Sequence, residues 1–506
     1  MPNVPSLQSV LRDVAAMLGD PTKISVGFLP TLRDVFEVPA ALEMVTRLKR
    51  ALAEHPNIEL FQLEGEEFED GVVRPESDVM MAWQEYFEAL PEVMLAMPAN
   101  YGHEGHTADI CRKVHGAFGT PVFTYAPFDG PPREDGTRPT DRTCGIFPMR
   151  HELRHAGINP GYIPMSVPED AVFAQGVKNM LRVAGVVREV RDLRILQIGG
   201  DQPTFPAIVA NKLDLYASWG VRVEVGSMVT IVENVRARLA DPPEWLNEAA
   251  VQLFEGIDVS EAEELDADIT KKITLAIYGV LEMLLEHNCT ALTVRCWPEV
   301  LRALGVMVCF GLGQMNEWGV PTACETDING LLSMAMLNGA ALGENKAFFA
   351  DNTITLEDGR ILIWHCGPFC RSTWREGGEP KLRTGWILPD PGAGYIHTAC
   401  LALGDTVTLC RLSTNMWGEM RVYTHEAKVV DGPDTRGTYL YIDTGDWPKY
   451  EQELMNAGVV HHWAVIKGEY MHAVAEAARW LGVPPVILAG GEDEVNARIR
   501  CIAARG

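Results

Sequence analysis

The hydrophobic pattern changes period near residue 345, and that change divides the chain into two kinds of architecture. Before it, short apolar runs at residues 23–30, 92–97 and 119–125 alternate with helical patterns, a long one over 38–54. Strands separated by helical segments imply a parallel sheet with crossover helices. A helix over 168–190 leads into RILQIGG at 194–200, where a fresh α/β unit begins. In that unit Ile273, Ile277, Val280, Leu281, Leu284 and Leu285 recur at helical spacing, and a strand follows at 291–294. The acidic run at 261–268 reads as a solvated loop, and the breaker cluster at 127–139 as an exposed loop within a domain. After the change, strand-like runs at 353–356, 360–364, 406–409 and 419–423 are separated by turn signals, which reads as antiparallel β. The chain closes with a helix over 470–481 and a strand at 485–488. The expected division is an α/β domain over 1–185, a second α/β domain over 186–345 and a mainly antiparallel, barrel-like β domain over 346–506.

Length and composition agree with that plan. A chain of 506 residues suggests about three domains. With 47% apolar and 22% charged residues it is neither disordered nor fibrous. Lys and Arg total 43 against 69 Asp and Glu, a formal net charge of −26. No basic run interrupts that excess, so nucleic acid and anionic membrane surfaces are not expected partners. A small ligand and a divalent cation remain open. The 11 cysteines contain no CxxC pair and read as buried or free thiols in a reducing compartment. The first 20 residues lack the features of a signal peptide, and no run of about 18 apolar residues is present, so a cytoplasmic protein is expected.

Familiar catalytic motifs are missing. Gly199-Gly200 follows a strand without a dinucleotide fingerprint or a Walker lysine, and reads as a tight turn. Neither a GxSxG elbow nor HExxH occurs. The informative residues lie between 322 and 371, with an echo near 461. ACETDING places Glu325 and Asp327 before an apolar helix, where Asp327 is expected to serve as a structural cap. FFADN places Asp351 directly after an apolar run, and ILIWHCG places His365 at a strand end. VVHHWAVI places His461 and His462 among apolar residues. Two carboxylates with one or two imidazoles can hold a divalent ion and leave positions open for substrate oxygens. Such mixed ligation suits Mn²⁺ first, with Mg²⁺ or Co²⁺ as alternatives.

The order and spacing of CETDINGLLSM, FFADN, IWHCGP and VVHHWAVIKGEY resemble the L-fucose isomerase and L-arabinose isomerase superfamily, as do TVRCWP at 293–298 and GFLPT at 27–31. That resemblance implies two α/β domains followed by a mainly β domain, in a homo-oligomer (trimer or hexamer) with shared active sites. It implies that Glu325 and Asp351 are paired catalytic carboxylates that also bind the metal, with His462 the third ligand. His365 matches a position that binds or supports the metal in arabinose-type enzymes, and is assigned to the substrate side together with Trp297 and Trp463. His461 is read as a neighbour of the ligand. Two departures bear on the sugar: Leu29 stands where fucose-type enzymes carry Arg, with Arg33 four residues on, and Trp297 stands where they show a polar residue.

The expected reaction is interconversion of an aldose and a ketose through an enediolate. A C–H beside a carbonyl is too weak an acid for a carboxylate alone at neutral pH, so the site needs a Lewis acid and two proton-handling groups. The alternatives are another metal-dependent carbohydrate enzyme, an epimerase or aldolase, and a non-catalytic sugar-binding protein.

Overall fold

The structure is a computed structural model, and it describes residues 4–488 apart from 66–67, 75, 192, 263–264, 298, 369, 374–380, 385–394, 399–403 and 416. The chain forms two compact units, one of residues 20–188 and one of residues 1–19 with 189–506. Among the described residues no helix is long and apolar enough to cross a membrane.

In the 20–188 unit five strands form one parallel sheet: β1 (Ile24–Thr31), β2 (Ile58–Gln62), β3 (Val93–Pro98), β4 (Val122–Thr124) and β5 (Gly161–Tyr162), in the order β2-β1-β3-β4-β5. β1 and β3 are buried almost throughout, which explains their continuous apolar runs. The crossover helix Val38–Ala53 starts with a proline in its first turn and buries Ala41, Val45, Leu48 and Leu52 along one stripe.

The larger unit begins with a second parallel sheet. Its strands are β6 (Arg194–Ile198), β7 (Arg222–Gly226), β9 (Ala291–Val294) and β10 (Thr322–Cys324), in the order β10-β9-β6-β7, with β8 (Asp258–Glu261) outside it. Gly199 turns out of β6 with φ +88°, which fits a glycine. The acidic run expected as a solvated loop at 261–268 begins on the last residue of β8 and enters the helix Ala267–Glu286, with Glu261, Asp266 and Asp268 exposed; β8 itself is a paired strand. It pairs with β13 (Lys381–Thr384), which also pairs with β14 (Tyr395–Thr398). Glu261 lies 2.7 Å from Lys381 and 2.9 Å from Arg383, so its charge is matched by neighbouring cations. Asp266 caps the helix Ala267–Glu286, and residues 263–264 lie outside the described residues.

The remaining strands close into a six-stranded antiparallel barrel. They are β11 (Phe348–Thr355), β12 (Ile361–His365), β15 (Thr406–Thr414), β16 (Met420–Val430), β17 (Thr438–Asp443) and β18 (His462–Lys467). The order β15-β18-β11-β12-β17-β16 is closed by pairing of β15 with β16, and β19 (Pro485–Ile487) adds in parallel to β16. Side chains from all six strands meet in one core: Phe348, Ala350, Ile361, Ile363, Val407, Leu409, Tyr423, Ala427, Val429, Leu440, Ile442, Trp463 and Val465. Because side chains alternate along a strand, one face of each strand fills this core and the other is free to carry the site.

Trp463 is the largest fully buried side chain in that core. Trp463→Ala is expected to destabilise the barrel by about 3–5 kcal/mol. Urea unfolding followed by near-ultraviolet circular dichroism would measure it.

Candidate active site

The site starts at the carboxyl end of β10. Glu325 and Thr326 both adopt left-handed backbone, with φ 59° and 58°. For residues with a Cβ that conformation costs of order 1–2 kcal/mol each, and it persists only where the surroundings enforce it. The enforcement is visible. The Asp327 N–H donates to the Cys324 carbonyl at 3.1 Å. The Thr326 hydroxyl donates to the Glu325 carbonyl at 2.6 Å. Asp327 then caps the helix Ile328–Ala341, accepting from the Gly330 N–H at 2.8 Å. Gly330 is needed for a second reason. A Cβ there would stand 2.4 Å from the Phe349 ring and 2.9 Å from Asp327 Oδ2.

The barrel supplies the other half. Asp351 on β11 lies directly opposite His462 on β18, so the two side chains share a face. His462 Nε2 is 3.2 Å from Glu325 Oε2 and 3.6 Å from Asp351 Oδ1. At the end of β12, His365 Nε2 is 4.0 Å from Asp351 Oδ1. The Phe349 ring packs edge-on against both imidazoles.

Behind His462 runs a buried polar chain. Its Nδ1 donates to Asp327 Oδ2 at 2.9 Å, and Arg411 donates to the same carboxylate at 2.5 and 3.3 Å. Asp327, Arg411 and His462 are all fully buried. An ionised carboxylate only accepts, so Nδ1 carries the proton and Nε2 is turned towards Glu325 and Asp351. The charges answer to this packing. Burial raises Asp327, but the Arg411 charge and the hydrogen bond from His462 outweigh it and hold its carboxyl far below the usual range. Burial alone would lower His462, and the carboxylates of Asp327 and Glu325 bring it up to about 9. Burial pushes Asp351 up to about 6 against the pull of His365 and His462.

These atoms suit a divalent cation. Among the described residues Asp351 Oδ1 and His462 Nε2 are buried without a hydrogen-bond partner. The ligand atoms of Glu325, His365 and His462 lie within 4.8 Å of one another, as do those of Asp351, His461 and His462. Unpartnered buried polar atoms aimed at one point are costly unless something there satisfies them.

The N-terminal region of the chain, residues 27–191, matches the family model described as fucose/sulfoquinovose isomerase, N-terminal domain. This match, with the relatives that follow, supports the L-fucose isomerase-like superfamily that the site motifs resemble. Sulfoquinovose isomerase of Alkalicoccus urumqiensis is 27% identical over 330 residues, covering 63% of this chain and 70% of that protein. Sulfoquinovose isomerase of Priestia megaterium (strain ATCC 12872 / QMB1551) is 26% identical over 321 residues, 62% of this chain and 69% of that one. Sulfoquinovose isomerase of Clostridium sp. (strain MSTE9) is 22% identical over 384 residues, 75% and 82% respectively. The chain is an aldose–ketose isomerase.

In this isomerase Glu325, Asp351, His365 and His462 converge as a single cluster. Trp463 does not join them. Its neighbour His462 faces the cluster, so strand alternation sends the Trp463 ring into the barrel interior, where it is fully buried. Trp297 is half-buried beyond the carboxyl end of β9, beside β10 in the sheet, and its carbonyl accepts from Gln202. The His461 ring lies tilted 4.1 Å from the His462 ring and edge-on to Phe205. The residues missed were Arg411 and the second role of Asp327. Asp327 is a helix cap, as expected, but it also orients His462. The available signal was Arg411 itself, a lone cation in the apolar strand TVTLCRLST, which demands a buried anion.

Arg411→Met is expected to cost about 3–5 kcal/mol, because it strands the buried Asp327 charge. Adding Asp327→Asn in the same chain should recover some of that loss. A double-mutant cycle by chemical denaturation measures both.

Proposed function

We propose that this isomerase is metal-dependent and interconverts its aldose and ketose through an enediolate, with Glu325, Asp351 and His462 holding the ion. The observation that carries this reading is the convergence of their ligand atoms, with neither Asp351 Oδ1 nor His462 Nε2 held in a hydrogen bond. Mn²⁺ is the first candidate, since oxygen-rich mixed ligation suits it. When bound, the ion would supply Lewis-acid polarisation of neighbouring sugar oxygens.

The chain's own residues account for the proton transfers. Glu325 and Asp351 form the carboxylate pair that shares two tasks, removal of the carbon proton and movement of a proton between the two oxygens. Asp351, brought up to about 6 by burial, fits exchange near neutral pH. Asp327 and Arg411 keep the His462 ring in one orientation. His365 stands beside Asp351 and faces the substrate side. Trp297, at the carboxyl edge of the sheet where ligands of such sheets bind, is read as a wall for the sugar. A homo-oligomer with shared sites belongs to the same reading, and sedimentation velocity tests it.

The relatives' names make sulfoquinovose the first substrate to test, with L-fucose and D-arabinose beside it. With Mn²⁺ the purified protein is expected to yield a ketose of unchanged carbon number and to take up solvent deuterium at C2. Turnover of these sugars without C2 exchange would overturn the enediolate route. Glu325→Gln and Asp351→Asn should each lower kcat by roughly 10²–10⁴-fold. Full turnover in either variant would remove that residue from the mechanism.

Protons compete with the ion for Asp351 and His462. Affinity for Mn²⁺, read by calorimetry, is therefore expected to weaken as pH falls below about 9, where His462 takes up its proton, and more steeply below about 6, where Asp351 does. A fall that grows no steeper between pH 7 and pH 5, about one unit either side of the Asp351 value, would remove Asp351 from the ligand set.

A further inference from the structure

A third segment reaches the site, the loop that follows β6. It leaves the sheet at Gly199 and Gly200 and runs to the short helical turn Pro206–Ile208. Several contacts fix its course. A Cβ at Gly199 would stand 3.0 Å from Arg295 Cβ, so the glycine lets the loop start hard against the segment after β9. The Gly200 carbonyl lies 3.4 Å from the Thr326 hydroxyl, one residue from Glu325. Gln202 is buried and donates from Nε2 to the Trp297 carbonyl at 3.0 Å. Ile208 is buried at the far end. Between these anchors Pro203, Thr204, Pro206 and Ala207 are exposed, and Phe205 alone is half-buried.

The Phe205 ring stands edge-on to two imidazoles, with ring centres 5.5 Å from His461 and 6.1 Å from His462. His462 in turn has its Nε2 3.2 Å from Glu325, so the phenyl ring borders the reacting cluster. His462 and Glu325 are buried and His461 is exposed, so Phe205 stands at an edge where the cluster meets solvent. Support for the His462 ring does not explain it. Phe349, fully buried on β11, already packs edge-on against that imidazole at 4.8 Å. Phe349 has no free surface for a ligand, whereas Phe205 keeps part of its ring exposed. Ligand sites combine aromatic surface with a few placed polar groups, and a sugar presents both hydroxyls and carbon-bound hydrogens to them.

We propose that Phe205 is a specificity-determining residue of this isomerase, an aromatic wall that packs on the carbon-bound hydrogens of the sugar at the solvent edge of the Glu325–His462 cluster. The proposal rests on the reading of that cluster as the sugar site. Gly199 and Gly200 set where the loop leaves the sheet, and Gln202 fastens the same loop to the backbone of Trp297, so the two aromatic residues at this edge are held by one segment. A phenyl ring offers no hydrogen bond and handles no proton. Its contact is therefore the same before and during proton transfer, and it belongs to sugar affinity and not to the chemical step.

The test uses the full chain and reads binding as well as turnover. For whichever of sulfoquinovose, L-fucose and D-arabinose is turned over, Phe205→Ala is expected to raise KM roughly tenfold and to keep kcat within about threefold. Phe205→Tyr keeps the ring and should return KM to the wild-type value. The alditol of the same sugar has no carbonyl and cannot react, and calorimetry should show its affinity falling roughly tenfold in Phe205→Ala. Mn²⁺ affinity of Phe205→Ala, also by calorimetry, should match the wild type. A fall in Mn²⁺ affinity would make the ring a support for His462 and overturn the proposal. Unchanged KM and alditol affinity in Phe205→Ala would overturn it as well. A wild-type chain that turns over none of the three sugars fails the isomerase reading instead, and direct binding of those sugars to wild type and Phe205→Ala then decides on the wall. Absence of any sugar binding to the wild type overturns both.

Discussion

A buried ion pair governs this molecule's catalytic half. Arg411 and Asp327 are both out of water, and neither is tolerable there alone. Their pairing fixes the carboxylate, the carboxylate fixes the protonated nitrogen of His462, and that leaves Nε2 towards Glu325 and Asp351. Because Asp327 also caps the helix Ile328–Ala341, the orientation of an imidazole on the barrel is tied to where a helix begins. Stability and chemistry therefore share the same few atoms.

The two halves of the site reach it by different geometries. Glu325 leaves the carboxyl end of a parallel strand, the edge at which sheets of this type bind ligands. It does so through two consecutive left-handed residues that the Asp327 turn holds in place. Asp351 and His462 instead sit on one rung of an antiparallel ladder, where register alone brings them together. A loop adjusts one carboxylate, and a rigid rung presents the other.

Much of this was legible beforehand. Period-two runs after residue 345 announced the barrel strands, and buried apolar runs with intervening amphipathic helices announced the parallel sheets. The four site segments were readable because acids and imidazoles interrupt apolar elements conspicuously. What local sequence hides is which way a side chain points. Trp463 adjoins His462 in the chain and is for that very reason on the opposite face. Asp327 looked like an ordinary cap, because caps are common and the cation that gives it a second task lies 84 positions away. Glu261 is exposed as expected, but its ion pairs were hidden, because Lys381 and Arg383 come more than a hundred positions later.

The irregularity in β11 has a consequence for how this scaffold tolerates change. Pairing with β12 shifts between Asn352 and Ile354, just beyond Asp351, and the strand's last residues are exposed. That bulge behaves like an expansion joint. Residues on its outer side, and the Glu357–Gly359 hairpin tip past them, can lengthen, shorten or drift in composition while the inner rung keeps its alignment. Lineages sharing this barrel can thus remodel its outer rim freely and still inherit an unmoved carboxylate.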